Sequence, residues 1–155
     1  MRGRPSTKFM RFKIFSKYPK FLYGLSEISD GQMKRDYSGS PEDEEAKRNR
    51  EKYFAERKIN PRRVVSAGLV DGSHLALVGE KDTDSAIPST DGLITSKKNI
   101  FLSVTVADCF PVYLFCPPKG MVGIFHAGWR GIVGGISAQA VKIAAQNYHI
   151  EPRNI

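Results

Sequence analysis

Pro111-Val112-Tyr113-Leu114-Phe115-Cys116, then Pro117-Pro118-Lys119-Gly120, then Met121-Val122-Gly123-Ile124-Phe125-His126, is the stretch from which a fold can be read. Two apolar runs of strand length, rich in β-branched and aromatic residues, flank a proline–glycine turn, and that pattern predicts an antiparallel hairpin. After His126 the segment Ala127 to Gly135 carries Gly128, Gly131, Gly134 and Gly135. From about 132 to 148, Ile136, Ala140, Val141, Ile143, Ala144 and Ala145 recur at helical spacing and predict a closing helix with one apolar face.

Upstream of the hairpin, Val64–Ala67, Leu75–Val78, Gly92–Thr95 and Phe101–Ala107 read as further short strands. Asp71-Gly72, Pro88-Ser89 and Lys97-Lys98-Asn99 punctuate them as turns. Short strands mixed with helices imply an α/β chain with a mixed sheet. Residues 9–26 read as an extended opening, and 29–41 as an irregular stretch around Gly31, Gly39 and Pro41. Ser40-Pro41-Glu42-Asp43 has a hydroxyl cap, proline at the first position and acids in the first turn, so a helix is expected from there to about Lys58. Its charge leaves only a stripe such as Ala46, Tyr53 and Phe54 for a core.

A chain of 155 residues is one ordinary domain and can bury a real core. No run approaches the roughly 18 apolar residues of a spanning helix, so no membrane role is expected. Of the net charge of +8, residues 1–20 supply +7 through Arg2, Arg4, Lys8, Arg11, Lys13, Lys17 and Lys20, with no acid among them. The charge therefore belongs to a basic N-terminal arm, read as a solvated tail, and nucleic-acid binding is not expected outside that arm. Its weak amphipathic periodicity argues against a mitochondrial leader. Cys109 and Cys116 follow no secretory signal, which suits reduced thiols in a cytoplasmic protein.

Two constellations carry chemistry. A buried strand delivers His126 to the glycine loop, where backbone N–H groups and Arg130 suit an anion such as phosphate. The same glycines equally suit tight packing, with His126 a hydrogen-bonded core residue. Cys109 closes the run Leu102–Val106 with Asp108 beside it, and Pro111 suggests a bend or bulge exposing the thiol. Thiolate and imidazole are preferred zinc ligands and also form a nucleophile–base pair. His149, near the end of the last helix, is read as a structural residue placed by the helix dipole.

Val106-Ala107-Asp108-Cys109-Phe110-Pro111-Val112 and Phe125-His126-Ala127-Gly128-Trp129-Arg130-Gly131 resemble the two signature motifs of the YfiH-type laccase-domain family. Its members are variously called polyphenol oxidase, purine nucleoside phosphorylase or peptidoglycan editing factor. The similarity runs from about Phe21 to Ile155; Leu22–Ser26 resembles the family's opening strand, and Pro41-Glu42 with Asn49-Arg50 also fits. The resemblance implies an α/β fold, a mixed sheet sandwich with flanking helices, and a zinc held by two histidines and a cysteine. Cys109 and His126 match two of those ligands. It further implies phosphorolysis of adenosine, inosine, guanosine or methylthioadenosine, with deamination of adenosine served by water activated at the zinc.

On that reading Cys109, His126 and Asp108 form the catalytic set, Arg130, Gly128 and Trp129 contact nucleoside and phosphate, and Asp71, Cys109 and His126 hold the metal. Asp71 appears in that set because Leu69-Val70-Asp71-Gly72 stands where the family carries Gln-Val-His-Gly. A carboxylate binds zinc at a similar distance, though its charge makes a bound water less acidic. His74 is placed on the opposite face if the segment is a strand. Ile28 stands where the family usually has an arginine. The family's last third has no counterpart after Ile155, so the expected organisation is a basic arm at 1–20 and a truncated laccase-type domain at 21–155. Copper is disfavoured, because Cys109 with two other histidines cannot supply a multicopper cluster. The remaining alternatives are a peptidoglycan-precursor amidase using Cys109 and His126, and an inactive remnant of the family.

Overall fold

A computed structural model describes residues 12–155, which divide into two compact units, one ending at Ile59 and the other running from Asn60 to Ile155. The part of the basic arm before residue 12, including Phe9, lies outside the described residues.

In the first unit, α1 spans Pro41–Glu56. Ser40 Oγ accepts the Asp43 N–H at 3.1 Å, as the cap sequence predicts. Asp43 and Ala46 are the residues α1 buries, so a carboxylate shares the inward stripe with the alanine. Asp43 can be buried because it is saturated with donors. Arg35 reaches it through Nε at 3.0 Å and Nη2 at 2.7 Å, and the N–H groups of Asp36, Tyr37 and Gly39 also donate to it. The irregular stretch before the helix is thus wound around one buried carboxylate.

Residues 12–26 are not the extended opening that their pattern predicts. Lys13–Phe15 form a 3-10 turn and no strand forms at Leu22–Ser26. The apolar residues there are aromatic and pack on one another instead: Phe15 and Phe21 have ring centroids 4.7 Å apart, and Phe12 and Tyr23 are stacked at 5.5 Å.

In the second unit the strands are β1 (Val64–Gly68), β2 (Leu75–Leu77), β3 (Ser85–Pro88), β4 (Gly92–Thr95), β5 (Phe101–Ser103), β6 (Phe110–Cys116) and β7 (Met121–Ala127). Among the described residues they form two sheets, a parallel one ordered β3-β1-β5 and a mixed one ordered β2-β4-β7-β6. Two sheets flanked by helices are the expected α/β architecture. From β1 to β5 the chain alternates between the sheets, strand by strand.

Strand β4 is buried along its whole length, as a strand covered on both faces must be. Its successive side chains point oppositely. Leu93 therefore joins Val65, Val78 and Ile100 in one core, while Ile94 joins Met121, Phe125, Ile136, Ala140 and Ala144 in another. The last three of the second set come from the second of two helices that follow β7. These are a short α2 (Trp129–Val133) and α3 (Ile136–Tyr148), separated by Gly134 and Gly135. The apolar face read from the sequence is the buried face of α3, but the helix begins at 136 rather than 132.

Three more local expectations change. Phe101–Ala107 is a strand only as far as Ser103, so Cys109 does not close that run; it immediately precedes β6. Pro111 causes no bulge, since β6 pairs with β7 in unbroken register from Phe110 to Cys116. β6 lies at the edge of its sheet, where a missing N–H costs no ladder bond. Strand β3 has no counterpart among the expected strands, and Pro88, read with Ser89 as a turn, is its last residue. His149 caps α3 in the left-handed conformation, the structural place expected for it.

Candidate functional site

The β6–β7 hairpin brings the two motifs together. Phe110 pairs with Ala127 and Pro111 with His126. One further step of the same register sets Cys109 opposite Gly128. The glycine is essential to what meets there: a Cβ on Gly128 would lie 2.9 Å from His126 Cε1, 3.5 Å from Nε2 and 3.6 Å from Cys109 Sγ. Bare backbone at 128 is the surface against which imidazole and thiol both rest. His126 is buried at 5 % exposure, whereas Cys109 is half-buried and so reachable.

The third corner comes from residues 69–74, a loop joining β1 to β2. Asp71 sits in it with φ of +56°, a left-handed conformation that Asp tolerates better than most residues. Its Oδ1 lies 3.7 Å from His126 Nδ1, and its side chain is 62 % exposed. Because the segment is a loop, strand alternation does not govern His74, which is exposed.

The remaining predicted residues are near neighbours in sequence but not in contact role. Asp108 occupies an exposed turn, also left-handed at φ +63°, one residue before the thiol. Trp129 is 67 % exposed, and the Arg130 guanidinium lies 4.6 Å over its ring. The structure favours packing over an anion nest for the glycine loop. A Cβ on Gly131 would meet the carbonyl oxygen of Gly72 at 2.6 Å, so α2 is seated directly on the Asp71 loop. At five residues, α2 is also too short to present a useful dipole.

One participant is not visible from the motifs. Asp91 is fully buried just ahead of β4, and its carboxylate accepts the N–H groups of Val70 at 3.1 Å and His74 at 3.2 Å. Its backbone carbonyl accepts the His126 N–H at 2.8 Å. The sequence signal was an acid between the Pro88-Ser89 turn and the strand Gly92–Thr95, a position where a buried charge must be satisfied from within.

The hairpin end thus gathers Cys109 and His126 about Gly128, with Asp71 near the imidazole, into a small polar candidate site on an α/β fold. Residues 24–155 match the family described as multi-copper polyphenol oxidoreductase laccase, and the chain belongs to that family. It is similar to "Purine nucleoside phosphorylase YlmD" of Geobacillus stearothermophilus, 42 % identical over 77 residues that cover 50 % of this chain and 28 % of the relative. It also resembles "Purine nucleoside phosphorylase ORF3" of Streptomyces griseus, 38 % identical over 95 residues covering 61 % and 39 %. Among solved structures, the hypothetical protein YfiH of Bacillus licheniformis superposes with a TM-score of 0.69 at 32 % identity, covering 72 % of this chain and 44 % of that one. The chain thus spans less than half the length of these relatives.

The family resemblance raises the question of zinc. Carboxylate, imidazole and thiolate are all zinc donors, and donors sharing a tetrahedral zinc lie roughly 3.3–3.8 Å apart. The Asp71–His126 spacing of 3.7 Å comes close to the shorter end that an oxygen and a nitrogen would need. The trio does not. Among the described residues no group of three or more His, Cys, Asp or Glu side chains is arranged to hold a metal ion. An imidazole binds metal through one nitrogen, yet Asp71 addresses the Nδ1 side while Gly128, with the thiol beside it, lies along the Cε1–Nε2 edge. As arranged, the donors are of the right kind but do not converge.

Proposed function

We propose that the chain carries the active-site half of a purine nucleoside phosphorylase, cleaving adenosine, inosine, guanosine or methylthioadenosine and deaminating adenosine. The observation that carries this reading is the pairing of Cys109 and His126 across Gly128, in a chain whose relatives bear the phosphorylase name. In phosphorolysis a phosphate oxygen bonds to the ribose anomeric carbon as the bond from that carbon to the purine nitrogen breaks. The electron pair leaves with the base, which takes up a proton.

The residues divide this work by their chemistry. Trp129 offers an exposed face on which a purine can stack, and Arg130 beside it offers paired donors for phosphate. His126, with Asp71 facing its Nδ1, is the group suited to deliver the proton to the departing base. Asp108 and Cys109 border the same corner from the turn before β6. Asp71, Cys109 and His126 are the side chains that would, on donor type alone, ligate a zinc ion. Its binding would require the imidazole or the Asp71 side chain to turn so that all three face one point.

The test is release of hypoxanthine from inosine by the purified chain with and without inorganic phosphate. Release that depends on phosphate, and that Cys109→Ser or His126→Ala abolishes, is the expected result. Release indifferent to phosphate, or none, overturns the reading. A second reading rests on the same thiol and imidazole, which suit a nucleophile and base acting on the peptide amide of a peptidoglycan precursor. Under that reading Cys109→Ser destroys amidase activity and phosphate is irrelevant.

A further inference from the structure

The 70–74 loop that carries Asp71 lies at the surface, and something must fix its distance from His126. Asp91 is placed to do so from both of its chemical halves. Its two carboxylate oxygens take N–H groups from opposite ends of the loop, Oδ1 from Val70 at 3.1 Å and Oδ2 from His74 at 3.2 Å. Oδ2 also lies 3.2 Å from where a Cβ on Gly72 would stand, so the carboxylate fills the inside of the loop. The main chain of Asp91 continues the connection. Its N–H donates to the His74 carbonyl at 2.7 Å, and its carbonyl accepts the His126 N–H at 2.8 Å.

We infer that Asp91 is a positioning residue of the site, setting the Asp71 carboxylate against the His126 imidazole without touching substrate. The inference rests on the reading that Asp71, Cys109 and His126 form that site. Aspartate is the residue the geometry demands. Both N–H groups need an acceptor, and a carboxylate is acceptor-only on both oxygens. Asparagine keeps the shape but turns an amide N–H2 toward one of the two donors. The outer side of the loop is held more lightly, through Ser73 Oγ, which accepts Gln139 Nε2 at 3.1 Å, and through the seat of Gly131 on Gly72.

Amide hydrogen exchange on the full chain tests the inference. In the wild type the Val70 and His74 amides should be protected to the same order as the His126 amide, although Val70 and His74 are exposed residues; their free exchange would overturn the inference without any variant. Asp91→Asn should then speed the Val70 and His74 amides by about 10- to 100-fold. The His126 amide should hold its rate, because the backbone carbonyl it meets is retained. In the same variant kcat for phosphorolysis should fall about tenfold or more with KM within about twofold, since positioning is felt in the transition state. Uniformly faster exchange at all three amides would make Asp91 an ordinary fold residue, and selective exchange with unchanged kcat would remove its part in the site; either result overturns the inference. A wild type without phosphorolysis overturns the proposed activity alone, and the exchange rates still decide whether Asp91 fixes the loop.

Discussion

Pro111 stands opposite His126 in the β6–β7 ladder, so the two motifs that identify the family are the two sides of one hairpin end. The seventeen-residue separation of Cys109 and His126 is set by the strand lengths and the turn between them. Gly128 is the element that lets this end close. Gly128→Ala puts a methyl 2.9 Å from His126 Cε1, against a side chain and not a backbone atom. The fold should survive with a loss of about 1–3 kcal/mol, as for a modest overpacking. Displacement of the imidazole should nonetheless cost at least about tenfold in kcat/KM. Thermal unfolding and phosphorolysis measured on the same preparation check both halves.

The two cysteines should behave as different kinds of residue. Cys116 is 1 % exposed in the core with Met121 and Phe125, whereas Cys109 is half-buried at the site. A thiol-directed disulfide reagent should label Cys109 in the native protein and reach Cys116 only after unfolding. Cys116→Ser should destabilise the chain by about 1–3 kcal/mol through a hydroxyl buried without a ready partner. Cys109→Ser should shift stability by less than about 1 kcal/mol while abolishing activity. Equal labelling of the two thiols would contradict this division.

Asp71→His would supply the second imidazole of the two-histidine, one-cysteine set that the family resemblance implies. Histidine accepts the left-handed φ of +56° about as readily as aspartate, so the loop should hold. A longer side chain bearing a neutral nitrogen should raise zinc affinity by about tenfold or more, read by competition with a chelating dye. Whatever zinc the wild type takes up in that assay should fall in Cys109→Ser. An Asp71→His chain with unchanged affinity would remove Asp71 from the ligand set.

Asp43 makes the first unit sensitive to acid. Hydrogen bonds from Arg35 hold its carboxyl well below the usual carboxylate range, outweighing the cost of its burial. A group whose pKa is depressed on folding contributes stability above its unfolded value, near about 4, and loses it as pH falls through the folded one. The Tyr37 and Gly39 amides, which donate to this carboxylate, should therefore keep native NMR shifts below about pH 4, where an ordinary carboxylate is already protonated, and lose them only as the pH falls toward the depressed folded value. Asp43→Asn should disturb those shifts at neutral pH and flatten their response to acid. Shifts that are native in the variant at every pH would refute the role given to Asp43.

What could be read in advance was whatever is local. The Ser40-Pro41 cap, the proline–glycine hairpin and the apolar face of α3 each depend on residues within a few positions of one another, and each stands as expected. The Phe12–Tyr23 region misled because aromatic residues have high strand propensity and also pack well on each other without a sheet. Strand β3 was hidden because Pro88 marks a turn in isolation, yet is tolerated at the edge of the parallel sheet. The alternation of β1 to β5 between two sheets has no signature in any window of sequence. At the site, Cys109, His126 and Gly128 were legible through motif chemistry, while Asp91 was not, because its partners lie 17 and 21 residues upstream.

Strand β4 gives this unit its cooperativity. Its two adjacent apolar residues face two different cores, Leu93 lining one and Ile94 the other. A cavity cut into either core loosens a strand on which the other also depends, so the two cannot melt independently. Asn60–Ile155 should therefore unfold in a single transition, and a mild defect such as Leu93→Val should lower the midpoint without splitting it.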